Sequence, residues 1–403
     1  VLAPGVLAAG LAHAQDRGPT LQVSTQAVVA ATRVSPVPGG GDATEGVLEQ
    51  PMMMVSARGL GERLRLDLAL DGEGLSMPDG VLGLGVWGEG FIDRRHPHTY
   101  VHEAVLSTIH RSGAWLAWSV AAGKGFVPFG TDDPTSRPVL RFPVNHHLSQ
   151  VLERALVMGA VRAGPVALEG ALFNGDEPER PSQWPNVPDR FGDSWSARLT
   201  AWPMPGVEAQ VSRAEVDSPE HRGGAGPPQD KWSVSARVAR PAGRWRVYSL
   251  IEWARTADAG GFFVFTSALA EAQVARGPHR AYYRWERTSR PEELRRLDLF
   301  RGIRPHLDDA ILGVSRWTIH TVGVAAPMRP ASWLSAEPLA ELALARATEV
   351  GGGVFRVEDL YGRSRFVAVT IGIRVRQGEA HRMGRYGVLR ERDAHDLPGG
   401  HPH

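Results

Sequence analysis

Arg63-Leu64-Arg65-Leu66-Asp67-Leu68-Ala69-Leu70-Asp71 alternates strictly between leucine and residues that, Ala69 apart, are charged. An extended strand sends successive side chains to opposite faces. Leu64, Leu66, Leu68 and Leu70 therefore make one aliphatic face, and Arg63, Arg65, Asp67 and Asp71 one charged face. Such a strand belongs at a boundary between hydrocarbon and water.

Weaker copies recur along the chain, with almost no helical periodicity between them. Strands are predicted near 51–58, 62–71, 81–91, 98–110, 114–123, 151–162, 165–173, 194–202, 206–216, 231–239, 244–255, 263–275, 279–289, 309–324, 333–347 and 365–377. That is about sixteen, within a range of ~14–18, and single-chain bacterial barrels need an even number. In 231–239, Trp232, Val234, Ala236 and Val238 oppose Lys231, Ser233, Ser235 and Arg237. In 365–377, Val367, Val369, Ile371, Ile373 and Val375 share one face. Trp245 and Trp253 are about 26 Å apart at ~3.3 Å per residue. Tilted by ~40°, this is roughly 20 Å of height, near the spacing of two aromatic girdles.

The connections alternate in length. Ser112-Gly113, Ala163-Gly164, Met204-Pro205-Gly206, Ala242-Gly243 and Gly277-Pro278 read as tight turns. Long polar connections at 125–150, 174–193, 217–230, 256–262, 290–308 and 348–364 lie between them. A soluble sandwich or solenoid could bury the same apolar faces. It gives no reason for strict alternation, or for aromatics at both ends of strands. The expected fold is all-β, a transmembrane antiparallel up-and-down β-barrel.

Val1–Ala14 is apolar and ends in Ala12-His13-Ala14, a small-x-small cleavage pattern, so 1–14 reads as a signal-peptide remnant. Residues 15–50 form an N-terminal segment. Within it 21–34 alternates as a strand but makes the count odd, so it is either an extra strand or lies in the periplasm or lumen. The barrel is expected over 51–377 and a C-terminal tail over 378–403, where 381–389 either adds a strand or is disordered. No uncharged apolar run approaches the ~18–20 residues of a membrane helix. The net charge of +1 offers no basic surplus for nucleic acid. With no cysteine, disulfides, zinc–cysteine sites and thiol nucleophiles are excluded.

Gly123-Lys-Gly-Phe-Val-Pro-Phe-Gly130 resembles the G-x-F-x-x-P-F-G stretch of phosphate- and carbohydrate-selective porins. Glu169-Gly-Ala-Leu-Phe-Asn-Gly-Asp-Glu177 resembles the E-x-x-x-F-N-G of the same group. The resemblance is local. It implies a porin-like bacterial outer-membrane barrel and carries no substrate with it.

On the lumen side, Arg63, Arg65, Asp67, Arg244, Arg246, Tyr248, Glu252, Arg284 and Arg374 are the expected pore-lining residues. Arginines in a narrow, low-dielectric channel favour anions. Pairing with Asp67, Glu252, Glu286, Glu337 or Glu341 would brace the wall instead, and both roles are compatible. The connection 125–150 holds Phe126, Phe129, Val139, Leu140 and Phe142, which an exposed loop would avoid. It is expected to fold inward as a constriction loop presenting Phe129, Asp132, Asp133, Arg137 and Arg141.

His96, His98 and His102 fall on one strand face at period two, and neutral imidazoles bind Zn or Cu. His146 and His147 would join them if the loop folds inward. The plainer reading makes these histidines hydrogen-bonded wall and loop residues. Glu103 shares a face with Val101, Val105 and Ile109, so it is expected above the membrane or at a bulge.

No enzyme signature holds. Gly83–Gly90 contains no phosphate-loop lysine, and Asp132, His146 and Ser149 lack an evident oxyanion hole. The expected function is a porin-like channel for passive diffusion of small polar or anionic solutes across the bacterial outer membrane, without a cofactor. The alternative is a metal-binding barrel for Zn or Cu uptake, efflux or sensing. Its partners would be outer-membrane lipid and small solutes, in an assembly from monomer to homotrimer.

Overall fold

The structure, a computed structural model, describes residues 19–37, 40–60, 63–77, 81–84, 98–131, 134–178, 180–219, 221–293, 311–351, 355–378 and 382–389. The first strands are β1 (Thr20–Ser35), β2 (Ala43–Gly59), β3 (Leu64–Asp71), β4 (Val101–Ser112), β5 (Leu116–Gly125) and β6 (Arg154–Ala163). Next come β7 (Val166–Phe173), β8 (Ser194–Met204), β9 (Val207–Val216), β10 (Gln229–Ala242), β11 (Trp245–Asp258) and β12 (Phe263–Arg276). The last are β13 (His279–Glu293), β14 (Ile311–Ala325), β15 (Met328–Ala331), β16 (Leu334–Val350) and β17 (Arg365–Gln377). β14 and β15 pair in succession with β16 and form one stave, so the barrel has sixteen. Every pairing is antiparallel, and all but the closure between β1 and β17 join staves that follow one another in the chain. The sheet closes where β1 pairs with both β2 and β17, for example Thr25 with Met53 and Ala27 with Val375. The backbone groups along the staves thus bond within the wall apart from a few bulges, the condition for crossing lipid with strands.

The open choice for 21–34 falls to a strand, and the predicted strand at 81–91 is corrected. Residues 21–34 are not an appendage: they form β1, without which the sheet would not close, so the barrel begins at Thr20 rather than 51. The described part of the predicted 81–91 strand, 81–84, is not a strand. Val81 and Leu84 are buried instead beneath the loops, Val81 with Val139 and Leu140, and Leu84 with Val144 and Trp317. Residues 85–91 lie outside the described residues.

The outer face is aliphatic, with Leu66, Leu168, Ile251 and Ile371 exposed. Trp115, Trp245 and Trp333 stand exposed at the short-turn end, and Trp195 and Trp253 nearer the long-loop end. The guanidinium of Arg213 lies 5.7 Å from the Trp195 ring centroid and 5.2 Å from that of Trp232. Such amphipathic side chains suit the two water–lipid interfaces.

On β4 the expected faces are reversed. Val105 and Ile109 point inward, while Leu106 points out. A bulge adds His102 to that inward face. Ala69 pairs with Glu103 but Leu70 pairs with Val101, so His102 has no partner and both His102 and Glu103 turn inward. The apolar inner face of β4 is covered by the C-terminal tail. Residues 382–389 run up inside the barrel, burying Tyr386 against Val105, and Val388 and Leu389 against Ile109, Ala117 and Ala160. The tail is neither an added strand nor disordered over these residues.

Candidate functional site: a filled lumen and a buried histidine cluster

The loop after β5 enters the barrel because the wall supplies partners for its backbone and its arginines. Gly130 N–H donates to Ser212 Oγ at 2.9 Å. Leu140 N–H donates to Glu341 at 2.6 Å, and Val144 N–H to Glu286 at 2.8 Å. Glu252 accepts from Asn145 at 2.8 Å and pairs with Arg137 at 3.2 Å. Arg141 pairs with Glu49 and donates to Thr32, while Arg284 donates to the Arg141 carbonyl at 2.7 Å. Carboxylates from β2, β11, β13 and β16 thus hold the loop across the lumen. Phe126, Val127, Phe129, Val139 and Leu140 are buried against apolar wall residues.

The two recognisable motifs have structural roles here. Gly130 has φ +68°, and a Cβ there would lie 1.5 Å from the Ser149 carbonyl oxygen, so only glycine fits. In the second motif, Glu169 pairs with Arg198 at 2.6 Å. Asn174 accepts the Ala155 N–H at 2.6 Å where β7 gives way to its loop.

Of the residues expected to line the pore, Arg65, Asp67, Glu252, Arg284 and Arg374 point inward and are buried. Arg246 and Tyr248 are half-buried on the same side. Arg63 and Arg244 are corrected: both are exposed turn residues at the short-turn end, because the hairpin turns extend to them before β3 and β11 begin. The inward arginines are braced. Arg65 pairs with Asp67 at 2.9 Å, Arg284 with Glu286 at 2.8 Å, and Arg374 with Glu337 at 3.2 Å. Arg284 is only 2 % exposed and Glu252 4 %, so no wide aqueous bore runs past them. A cavity remains beside the loop, bounded by Arg141, Arg284, Glu286, Thr321, Glu341 and Thr370. Of the loop residues, Phe129, Arg137 and Arg141 lie in the lumen, while Asp132 and Asp133 lie outside the described residues.

A second group sits at the long-loop end. His98 and His102 approach to 5.0 Å between ring centroids, both buried. His98 Nδ1 is 2.9 Å from Glu73 Oε2 and 3.6 Å from Asp71 Oδ2. His102 Nδ1 is 2.5 Å from Glu153 Oε1. Glu153 also accepts from the Thr99 backbone N–H at 3.0 Å and pairs with Lys124 at 3.3 Å. Burial, then the neighbouring Asp71 charge, pushes the Glu73 carboxyl up to about 7. Burial opposes ionisation of Glu153 too, but the charge and hydrogen bond of His102, with the charge of Lys124, outweigh it and hold it down at about 2. For His98, burial is outweighed by hydrogen bonds to Asp71 and Glu73 and by the Glu73 and Glu153 charges, which raise it well above its ordinary value.

Sequence reading grouped His98 and His102 but missed Asp71, Glu73, Glu153 and Lys124. Asp71 had a signal, since it shares the charged face of β3 with Asp67. Glu73 and Glu153 are brought in by loop paths, and Lys124 by the end of β5. His146 and His147 do not join the group. Phe142 lies between, its ring 6.2 Å from His98 and 5.5 Å from His146. His146 Nδ1 is instead engaged with the Pro143 carbonyl at 3.1 Å. His96 lies outside the described residues.

Glu153→Gln is expected to cost about 3–5 kcal/mol, as removal of one partner from a buried ion pair does. Denaturant unfolding in detergent reads it. The double variant Glu153→Gln with Lys124→Met is expected to recover part of the loss, and purely additive losses would contradict the pairing.

No protein-family model and no curated protein matches the chain. Solved structures do match in fold. An anion-selective porin from Comamonas acidovorans superposes over 90 % of this chain and 100 % of that one, with 13 % identity and a TM-score of 0.52. A loop-deleted form of OmpT, an outer membrane protein of Vibrio cholerae, covers 89 % of this chain and 100 % of its own, with 10 % identity and a TM-score of 0.50. At this identity the likeness is one of fold: the chain is a porin-like barrel.

Proposed function

We propose that the chain is a narrow porin-like channel of the bacterial outer membrane, admitting small polar or anionic solutes by passive diffusion, and not an enzyme. The observation that carries the reading is the inward loop. It is pinned beside the inward arginines and leaves a cavity flanked by Arg141 and Arg284. Both arginines are already paired, so the cavity is charged on both sides rather than purely cationic. Selectivity would follow from how Arg141 and Arg284, set against Glu286 and Glu341, meet a solute in a low-dielectric wall. The similar barrel from Comamonas acidovorans is an anion-selective porin. In this chain the argument rests on its own arginines.

The test is the reversal potential of the purified protein in planar bilayers under a salt gradient, expected to favour anions. One unit charge is worth at least ~1 kcal/mol at contact distance in water, about a five-fold change in local anion concentration. Arg141→Gln should lower the anion-to-cation permeability ratio by about that factor. Cation selectivity in the wild type, or no conductance at all, would contradict the reading. Absence of conductance would favour a barrel closed by its own loop and tail.

A further inference from the structure

Asp71, His98 and His102 each offer a ligand atom, and these atoms lie within 4.8 Å of one another. All three side chains are buried. A tetrahedral site with bonds of ~2.0–2.2 Å needs its ligand atoms roughly 3.3 Å apart, a contraction within reach of side-chain rotation. The surroundings resemble the outer shell of such sites. Nδ1 of His98 faces the Glu73 carboxylate, and Nδ1 of His102 faces that of Glu153. A carboxylate on one ring nitrogen fixes the imidazole and leaves the other nitrogen for a metal.

The bulge at His102 and the left-handed backbone of Glu153, φ 55°, are what aim these groups at one point. His98 keeps 9 % of its surface open, a route for an ion from the long-loop end.

We propose that Asp71, His98 and His102 form a binding site for a borderline divalent cation, Zn or Cu, with Glu73 and Glu153 orienting the two imidazoles. Three protein ligands leave a fourth position for water or an anion. The site is independent of the channel reading, and a failed conductance test leaves it standing.

The experiment is calorimetric titration of the full chain with zinc chloride and with copper chloride. It is done in a background where His395, His401 and His403 are alanine, so that tail histidines contribute nothing. One ion per chain is expected. Glu73→Gln should weaken binding by roughly 10–100-fold, as loss of an outer-shell partner does. His98→Ala with His102→Ala should weaken it further. No binding in the tail-free background, or undiminished binding in the double variant, overturns the proposal. If the double variant does not fold, the X-ray absorption spectrum of the zinc-loaded chain decides: two imidazoles in the coordination shell support the site, and fewer overturn it.

Discussion

Ile371→Arg is expected to destabilise the barrel by about 2–4 kcal/mol, the cost of an arginine facing lipid near the bilayer midplane. Ile371 lies midway along β17, paired with Ala31 and Ala340, and is 59 % exposed on the outer face. Its outward neighbours Val367, Val369 and Ile373 are exposed and aliphatic, so the guanidinium would meet hydrocarbon with no partner. Leu66→Arg on β3 should cost a similar amount. Urea unfolding in lipid vesicles measures both. The control is the next residue. Thr370 points inward with Oγ1 2.9 Å from Thr32 Oγ1, and Thr370→Ser keeps the hydroxyl at a cost of about 1 kcal/mol. Equal losses on the two faces would mean that protein, not lipid, covers the outer wall. Asp67→Asn is not a mild control. Asp67 accepts from Ser56 at 2.9 Å and from Arg65 at 2.9 Å, all buried, so removing its charge weakens a buried ion pair.

The faces of β3, β10, β11 and β17 were legible because lipid on one side and polar groups on the other impose period two. The strand number was legible only through two opposite errors. Leu21–Val34 alternates, yet its partner β17 lies at the far end of the chain, so local reading had no reason to close the sheet there. Val81–Leu84 is apolar, but its burial comes from loop residues such as Val139 and Leu140. Period two cannot tell lipid from an apolar filling of the lumen. The same ambiguity reversed β4, whose Val105 and Ile109 face the tail. The histidine cluster was half legible. His98 and His102 are near in sequence, but Glu153 arrives only after the whole inward loop has been placed.

Truncating the chain after Gln377 is expected to raise single-channel conductance roughly two-fold or more, because the radius at the narrowest point governs passage through a pore. The tail is anchored from several strands. Arg385 pairs with Glu208 at 2.9 Å, Val388 N–H donates to Ser119 at 3.2 Å, and the Phe126 N–H donates to Tyr386 Oη at 2.9 Å. It lies along the inner face of β4, β5 and β6, so its loss widens one side of the lumen. Replacing 132–144 by a short glycine-serine link should raise conductance more, since that segment crosses to β2, β11, β13 and β16. The tail also holds the start of the same loop, where Tyr386 Oη accepts the Phe126 N–H, which couples the two. Removing the tail should loosen the loop, and the double deletion should exceed either single one by less than their product. Recordings in planar bilayers at one salt concentration give all four values. Unchanged conductance in both single deletions would mean that neither segment bounds the path of the ions.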